Sequence, residues 1–272
     1  MKLIKIILNS GFILSIALLA FSCQKDTTLK EVAAESNDFS NSAFIQVFNA
    51  TLGSTRTYVY VDGAPVTGAA LAYGGSFPTL WSSAQATPSQ FAVPAGSHSF
   101  LIRDTLTTST QPVMSLAENL MAGVTYTLFT YDTLNAIKNK LVRTDIVFPD
   151  DTTARLRFAN FAYSPNAIPA VDVYSKRLGT NIFTNIPVTT VTPFIPYDSR
   201  RADTLIIRET GTGIDLQNRT VTGTPPVTTF SPVQLIVGLT RKRSYTLVFR
   251  GGYRSDLTTA ATVRSLSLLN NN

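Results

Sequence analysis

Along most of the chain, apolar and polar residues alternate in short runs rich in Val, Ile, Thr, Tyr and Phe, interrupted by Gly, Pro, Asn and Asp. A period of two sends successive side chains to opposite faces, so each run predicts a strand with one buried face. Phe44-Ile45-Gln46-Val47-Phe48 is one such run. Others are Thr57-Tyr58-Val59-Tyr60-Val61, ahead of the turn pair Asp62-Gly63, and Tyr126-Thr127-Leu128-Phe129-Thr130-Tyr131. Only Ser115 to Met121 and Asn135 to Leu141 have helical character, and both are short. The pattern predicts an all-β fold.

Four blocks recur in order. The strand ending Val47-Phe48-Asn49-Ala50 resembles Arg157-Phe158-Ala159-Asn160-Phe161-Ala162, and Tyr58-Val59-Tyr60-Val61-Asp62-Gly63 resembles Val171-Asp172-Val173-Tyr174 with the Lys-Arg turn after it. Phe100-Leu101-Ile102-Arg103-Asp104 resembles Leu205-Ile206-Ile207-Arg208-Glu209, and Gly123-Val124-Thr125-Tyr126-Thr127-Leu128-Phe129 resembles Arg243-Ser244-Tyr245-Thr246-Leu247-Val248-Phe249. Two tandem β-sandwich modules are therefore expected, at 44–150 and 151–272, each large enough to bury its own core. The polar stretch Pro149-Asp150-Asp151-Thr152-Thr153 divides them. It reads as a solvated hinge, since two carboxylates and threonine hydroxyls fall short of the six or more oxygens calcium wants.

The N-terminus breaks the strand pattern. Met1-Lys2-Leu3-Ile4-Lys5 is basic and Ile6 to Phe21 is largely apolar, the layout of a secretory signal. Its uninterrupted apolar part, from Gly11 to Phe21, is well short of the roughly 20 residues a spanning helix needs. The only cysteine, Cys23, follows Leu18-Leu19-Ala20-Phe21-Ser22, which resembles a lipobox, although Ala20 stands where Leu is usual. Residues 1–22 are thus expected to be a lipoprotein signal peptide and Cys23 the site of lipidation, anchoring the chain to a membrane. With a single cysteine no disulfide can form within the chain, so the modules rest on their hydrophobic cores. Gln24-Lys25-Asp26 looks like the short charged signals that export Bacteroidota lipoproteins to the cell surface. Residues 23–43 are too polar to bury a core and read as a flexible, disordered tether of about 25 Å root-mean-square reach. The expected location is the outer membrane, at the cell surface or on the periplasmic face.

Within the second repeat, Ala154-Arg155-Leu156-Arg157-Phe158-Ala159-Asn160, then Ser164-Pro165-Asn166-Ala167, then Pro169-Ala170-Val171-Asp172-Val173-Tyr174 resembles the opening of domain of unknown function 4397. Asn166 replaces the usual Asp of the turn, and the first repeat lacks that turn. The resemblance covers 154 to about 250, and 44–150 by way of the repeat. It implies immunoglobulin-like β-sandwiches of bacterial envelope proteins and no established activity. In the residues themselves, Pro165 and Pro169 stiffen a turn. By alternation Asp172 faces solvent, where it caps a neighbouring turn or binds something, the turn role being favoured.

Candidate chemistry is sparse. The only histidine, His98, has neither a second histidine nor a free thiol to form a nucleophilic or zinc constellation. The 17 acidic residues are scattered singly through turns, so a paired-carboxylate hydrolase is disfavoured. No catalytic, cofactor or metal site is expected. Gly74-Gly75 and Gly251-Gly252 do not precede helices and make no phosphate cradle.

Two surfaces remain. Tyr73-Gly74-Gly75-Ser76-Phe77-Pro78-Thr79-Leu80-Trp81 carries three aromatics that would stack on sugars if exposed, or close a core if buried. The net charge of +6 is uneven: residues 151–272 hold fourteen bases against seven acids, and 44–150 hold five against six. Lys176-Arg177, Arg200-Arg201 and Arg241-Lys242-Arg243 lie in turns. Converging, they would suit anionic glycans, lipopolysaccharide phosphates or an acidic protein; scattered, they would be solubility charges. Nucleic acid is a poor candidate, with no recognisable module. The sequence thus points to a non-catalytic envelope lipoprotein that binds a glycan or an envelope protein, or plays a structural part. The alternatives are a glycan-binding surface lipoprotein, or an envelope hydrolase or its accessory protein; a cleft with convergent acids at the junction would favour the enzyme, and an aromatic or basic patch a binding module. Asp-Thr triplets at Asp104, Asp132, Asp151 and Asp203, with Asp26-Thr27-Thr28 in the tether, fit a pattern for O-glycosylation.

Overall fold

The first alternating run folds as β1 (Ser42–Asn49), with Ala43, Ile45 and Val47 fully buried in the core of the first half. After it come β2 (Thr57–Val61), β3 (Ala64–Pro65), β4 (Ser76–Phe77), β5 (Phe91–Pro94), β6 (Gly96–Asp104), β7 (Met114–Leu120), β8 (Thr125–Tyr131) and β9 (Lys138–Arg143). One sheet runs β4-β1-β8-β9 with β5 also on β1, and the other runs β3-β2-β6-β7. The computed structural model describes residues 38–54, 56–78, 90–104, 114–146 and 148–272.

The second half comprises β10 (Thr153–Tyr163), β11 (Val171–Ser175), β12 (Thr180–Ile186), β13 (Ile195–Asp198), β14 (Asp203–Glu209), β15 (Gln217–Thr222), β16 (Val227–Pro232), β17 (Gln234–Val237), β18 (Ser244–Gly252) and β19 (Ser265–Asn270). Its sheets run β13-β10-β18-β19 and β12-β11-β14-β17, with β15-β16 as a separate hairpin. Pairing repeats between the halves. β1 lies parallel to β8 as β10 does to β18, and β2 is antiparallel to β6 as β11 is to β14. The four recurring blocks fall on these paired strands. Even a buried amide repeats: Asn49 Oδ1 accepts the Thr51 N–H at 3.1 Å, and Asn160 Oδ1 accepts the Ala162 N–H at 3.2 Å.

Alternation had assigned each strand one buried face, yet β1, β8, β10 and β18 are buried on both, as parallel strands commonly are. Their second faces meet one another. Phe48, Ala50 and Phe129 from the first half join Ala159, Phe161, Val248 and Leu269 from the second in a third core. The rings of Phe129 and Phe161 lie 4.8 Å apart, and Tyr131 lies 5.1 Å from Phe161. The sheets thus stack in four layers, and residues 149–153 join halves that share this core rather than swinging freely.

Two sequence expectations need correction. Ser115–Met121 forms most of β7, in which Met114, Leu116 and Leu120 point inward and β6 supplies the ladder. Asn135–Leu141 is a short 3-10 turn, Leu134–Ala136, running into β9. Strand pairing outweighs weak local helical preference in both.

Candidate functional site

Beyond the shared core, where β1, β8, β10 and β18 end, the halves part around a cavity of about 380 Å³. Leu52 and Leu134 line it from the first half, and Tyr163 and Pro165 from the second. Hydroxyls of Thr133, Ser164, Ser255 and Thr262 and the exposed Arg254 complete the wall. Tyr163 and Ser164 also border a second cavity of about 150 Å³ that holds the Asp132–Lys138 ion pair, 2.7 Å long. That carboxylate raises the Lys138 pKa.

Local backbone chemistry shapes these walls. Asp132 sits at φ 76°, and its Oδ1 accepts the Thr133 N–H at 2.8 Å, turning the chain into the Leu134 loop. Opposite, Gly251 has φ +104° and lies so near residues 263–264 that a Cβ would come within 2.5 Å of the Val263 carbonyl oxygen. A side chain there would force apart the turn carrying Arg254 and Ser255. The recess is lined mainly by apolar surface; Ser164 Oγ accepts the Asn166 N–H at 3.2 Å, and the hydroxyls of Ser255 and Thr262 are bonded to each other at 3.2 Å. Asp132, in the neighbouring cavity, is engaged by Lys138. Nothing in the alternation singled out Leu134, Tyr163 or Arg254; the Ser164-Pro165 turn was the available signal.

The residues chosen from sequence fall elsewhere. Tyr73 is half-buried, with the Arg250 guanidinium 4.3 Å from its ring centroid. Burial raises the pKa of its hydroxyl, an effect Arg250 opposes. Phe77 is half-buried against the first core, its ring 5.3 Å from that of Phe91. Trp81 lies outside the described residues, as do Cys23, Gln24, Lys25 and Asp26. Arg241, Lys242 and Arg243 are exposed in the turn before β18. They are therefore at the opposite end of that strand from Arg250 and Tyr73, and the aromatic and basic groups do not form one patch.

The three basic turns do gather at one end of the second half. Lys242 N donates to Thr153 O at 2.8 Å, and Ser199 Oγ donates to Thr152 O at 2.7 Å. Lys176 N donates to Thr204 O at 3.0 Å, and Arg177 pairs with Asp198 at 3.1 Å. Asp203 underpins the arrangement. Burial would raise its pKa, but the hydroxyls of Ser175 and Tyr197 and the N–H groups of Arg177 and Thr204 donate to it and lower it. Burial, with Asp203 alongside, pushes Tyr197 up to about 12.

Asp172 corrects another expectation: it is 5% exposed, not solvent-facing. The β11–β12 register shifts around Val173, and the carboxylate accepts from Asn181 Nδ2, Asn185 N and Thr210 Oγ1 at 2.7–2.9 Å. His98 is clamped at the edge of β6, Nδ1 2.6 Å from Asp62 and Nε2 2.7 Å from the Pro94 carbonyl oxygen. Asp151 closes a local turn by accepting from Thr153 N and Oγ1. Among the described residues no three His, Cys, Asp or Glu side chains gather as metal ligands.

Among solved structures, the chain is similar to a family 26 carbohydrate-binding module from Eubacterium rectale in complex with maltoheptaose. Identity is 12%, coverage 84% of this chain and 95% of that one, and TM-score 0.24. It is also similar to a candidate cell adhesion protein from Bacteroides ovatus, with 10% identity, coverage of 83% and 95%, and TM-score 0.22. Neither likeness bears on fold or ligand at that level. No curated protein matches. The family model described as "Domain of unknown function (DUF4397)" matches residues 43–174, from β1 to Tyr174 in β11. The match thus takes in the first repeat, where the sequence carried the resemblance only indirectly, and the opening motif of the second. Over residues 43–174 the chain belongs to the DUF4397 family.

Proposed function

We propose that this chain is a lipid-anchored cell-envelope protein, built from two tandem immunoglobulin-like sandwiches, that binds a glycan non-catalytically in the recess between them. The observation that carries the reading is the recess itself, with Tyr163, Leu52, Leu134 and Pro165 presenting apolar surface beside the hydroxyls and Arg254. Its walls come from both halves, and the shared core fixes them relative to each other, so little ordering remains to be done on binding. The anchor follows from the signal-like N-terminus and Cys23.

The test is a glycan array of neutral and acidic oligosaccharides, followed by calorimetry on the hits. Tyr163→Ala and Arg254→Ala are expected to weaken binding at least tenfold, and Phe77→Ala to leave it unchanged. Binding that survives both recess substitutions, or an array without hits, contradicts the reading.

A second reading, an envelope-protein partner, is favoured by the β15–β16 hairpin. Val221 and Phe230 are exposed on one face of it, Phe230 to 63%, and exposed apolar surface can mark a protein contact.

A further inference from the structure

We infer that the basic end of the second half docks on the anionic headgroup surface of the membrane that holds the chain, turning the recess outward. This rests on the lipid-anchor reading above. The charge is concentrated: Lys176, Arg177, Arg200, Arg201, Arg241, Lys242 and Arg243 occupy three turns bound to one another through Thr152, Thr153, Asp198 and Thr204. The carboxylates at this end include Asp145, Asp150, Asp151, Asp198 and Asp203; Asp145 pairs with Arg143, Asp198 is shared by Arg177 and Arg200, and Asp203 is buried. Lys176, Arg201, Arg241 and Lys242 are exposed.

The chain joins the folded unit at the same end. β1 begins at Ser42, just after Phe39, and runs in the same sense as β10 across the shared core. Gln46, early in β1, meets Asn270 and Asn271, and Asn270 is opposite Tyr245 near the start of β18. Gly74, whose N–H binds the Asn49 carbonyl oxygen, touches Arg250 near the end of β18. The starts of β1 and β10 therefore share an end with the basic turns. Tyr163, the last residue of the 11-residue β10, stands a strand length away, roughly 35 Å. An anchor attached through residues 23–38 would bring the cations up to the headgroups, where attraction acts within a Debye length of about 8 Å.

The experiment takes the chain from residue 23 onward with Cys23→Ser, so that no acyl chain contributes, and sediments it with vesicles. One set is phosphatidylcholine alone, the other phosphatidylcholine with a quarter phosphatidylglycerol. Binding to the anionic vesicles is expected to be at least about tenfold stronger and to weaken as salt is raised. R241E/K242E/R243E should lose that advantage while unfolding at the wild-type temperature, and Arg56→Glu should keep it. If the triple variant is unstable, K176E/R201E reads the same surface. Equal binding to both vesicles, binding unaffected by charge reversal, or displacement by 10 mM inorganic phosphate at constant ionic strength overturns the inference. Acylation is read separately, from the mass of the native N-terminal peptide, so failure of the anchor reading is distinguishable.

Discussion

Arg157 of β10 reaches across the shared core to Thr127 of β8, its Nη2 3.2 Å from Thr127 Oγ1. The same Nη2 is 3.0 Å from Thr144 Oγ1, and Nε is 2.8 Å from Thr246 Oγ1. The guanidinium lies 4.6 Å from the Phe194 ring centroid, and the side chain is 2% exposed. Burial lowers its pKa to about 10, and no carboxylate forms an ion pair with it among the described residues.

A buried cation held by hydroxyls and the face of Phe194 adds little net stability, because desolvation offsets these contacts. A base with a lower pKa folded than unfolded opposes folding while charged, which here means below about pH 10. Arg157→Met is therefore expected to leave stability within about 1 kcal/mol of wild type or to raise it. The threonines it leaves keep partners, since Thr127 bonds Thr144 at 2.7 Å and Thr246 bonds Asn271 at 2.7 Å. Phe161→Ala should instead cost about 3–5 kcal/mol by emptying the shared core. Urea denaturation of both variants separates the cases, and a larger loss for Arg157→Met would show that the hydroxyl cage dominates.

The wild-type chain should unfold in one cooperative step, because the third core couples the other two. Two resolved calorimetric transitions would mean that the halves fold independently and that the junction contributes little.

Much of this was legible in the sequence, and the failures have a common cause. Alternation located the strands, and the repeated blocks marked equivalent ones. The same alternation misread the second faces of β1, β8, β10 and β18: Gln46, Thr127, Arg157 and Thr246 look like solvent-facing residues until another sheet covers them. Asp172 failed similarly, since a local register shift and the side chains of Asn181 and Thr210 cover it. The recess was not legible, because its walls are loops that meet only after the sheets stack. The basic turns were visible as clusters, but their convergence depends on strand order.

Acid should attack the basic end early. Asp203 has a lower pKa folded than unfolded, so its contribution is fully present above the unfolded carboxylate range and is lost as pH falls through the folded value. Asp203→Asn should cost about 3 kcal/mol near neutral pH and flatten the fall in stability below about pH 4. An unchanged acid limb in the variant would remove Asp203 from the explanation.

Gly251→Ala should destabilise the protein by about 2 kcal/mol or more, through positive φ and the clash with residues 263–264. It should also weaken recess binding by displacing Arg254 and Ser255. Gly179→Ala, with positive φ but open space around its Cβ position, should cost less and leave binding intact. Thermal unfolding and calorimetry of the pair read both effects.

The account depends most directly on Cys23. Intact cells expressing the protein can be treated with protease, and the N-terminal peptide of the protein from untreated membranes weighed. The account predicts a peptide that begins at an acylated Cys23, and loss of the protein from intact cells if it faces outward. An unmodified Cys23, or a peptide that still carries residues 1–22, would contradict it.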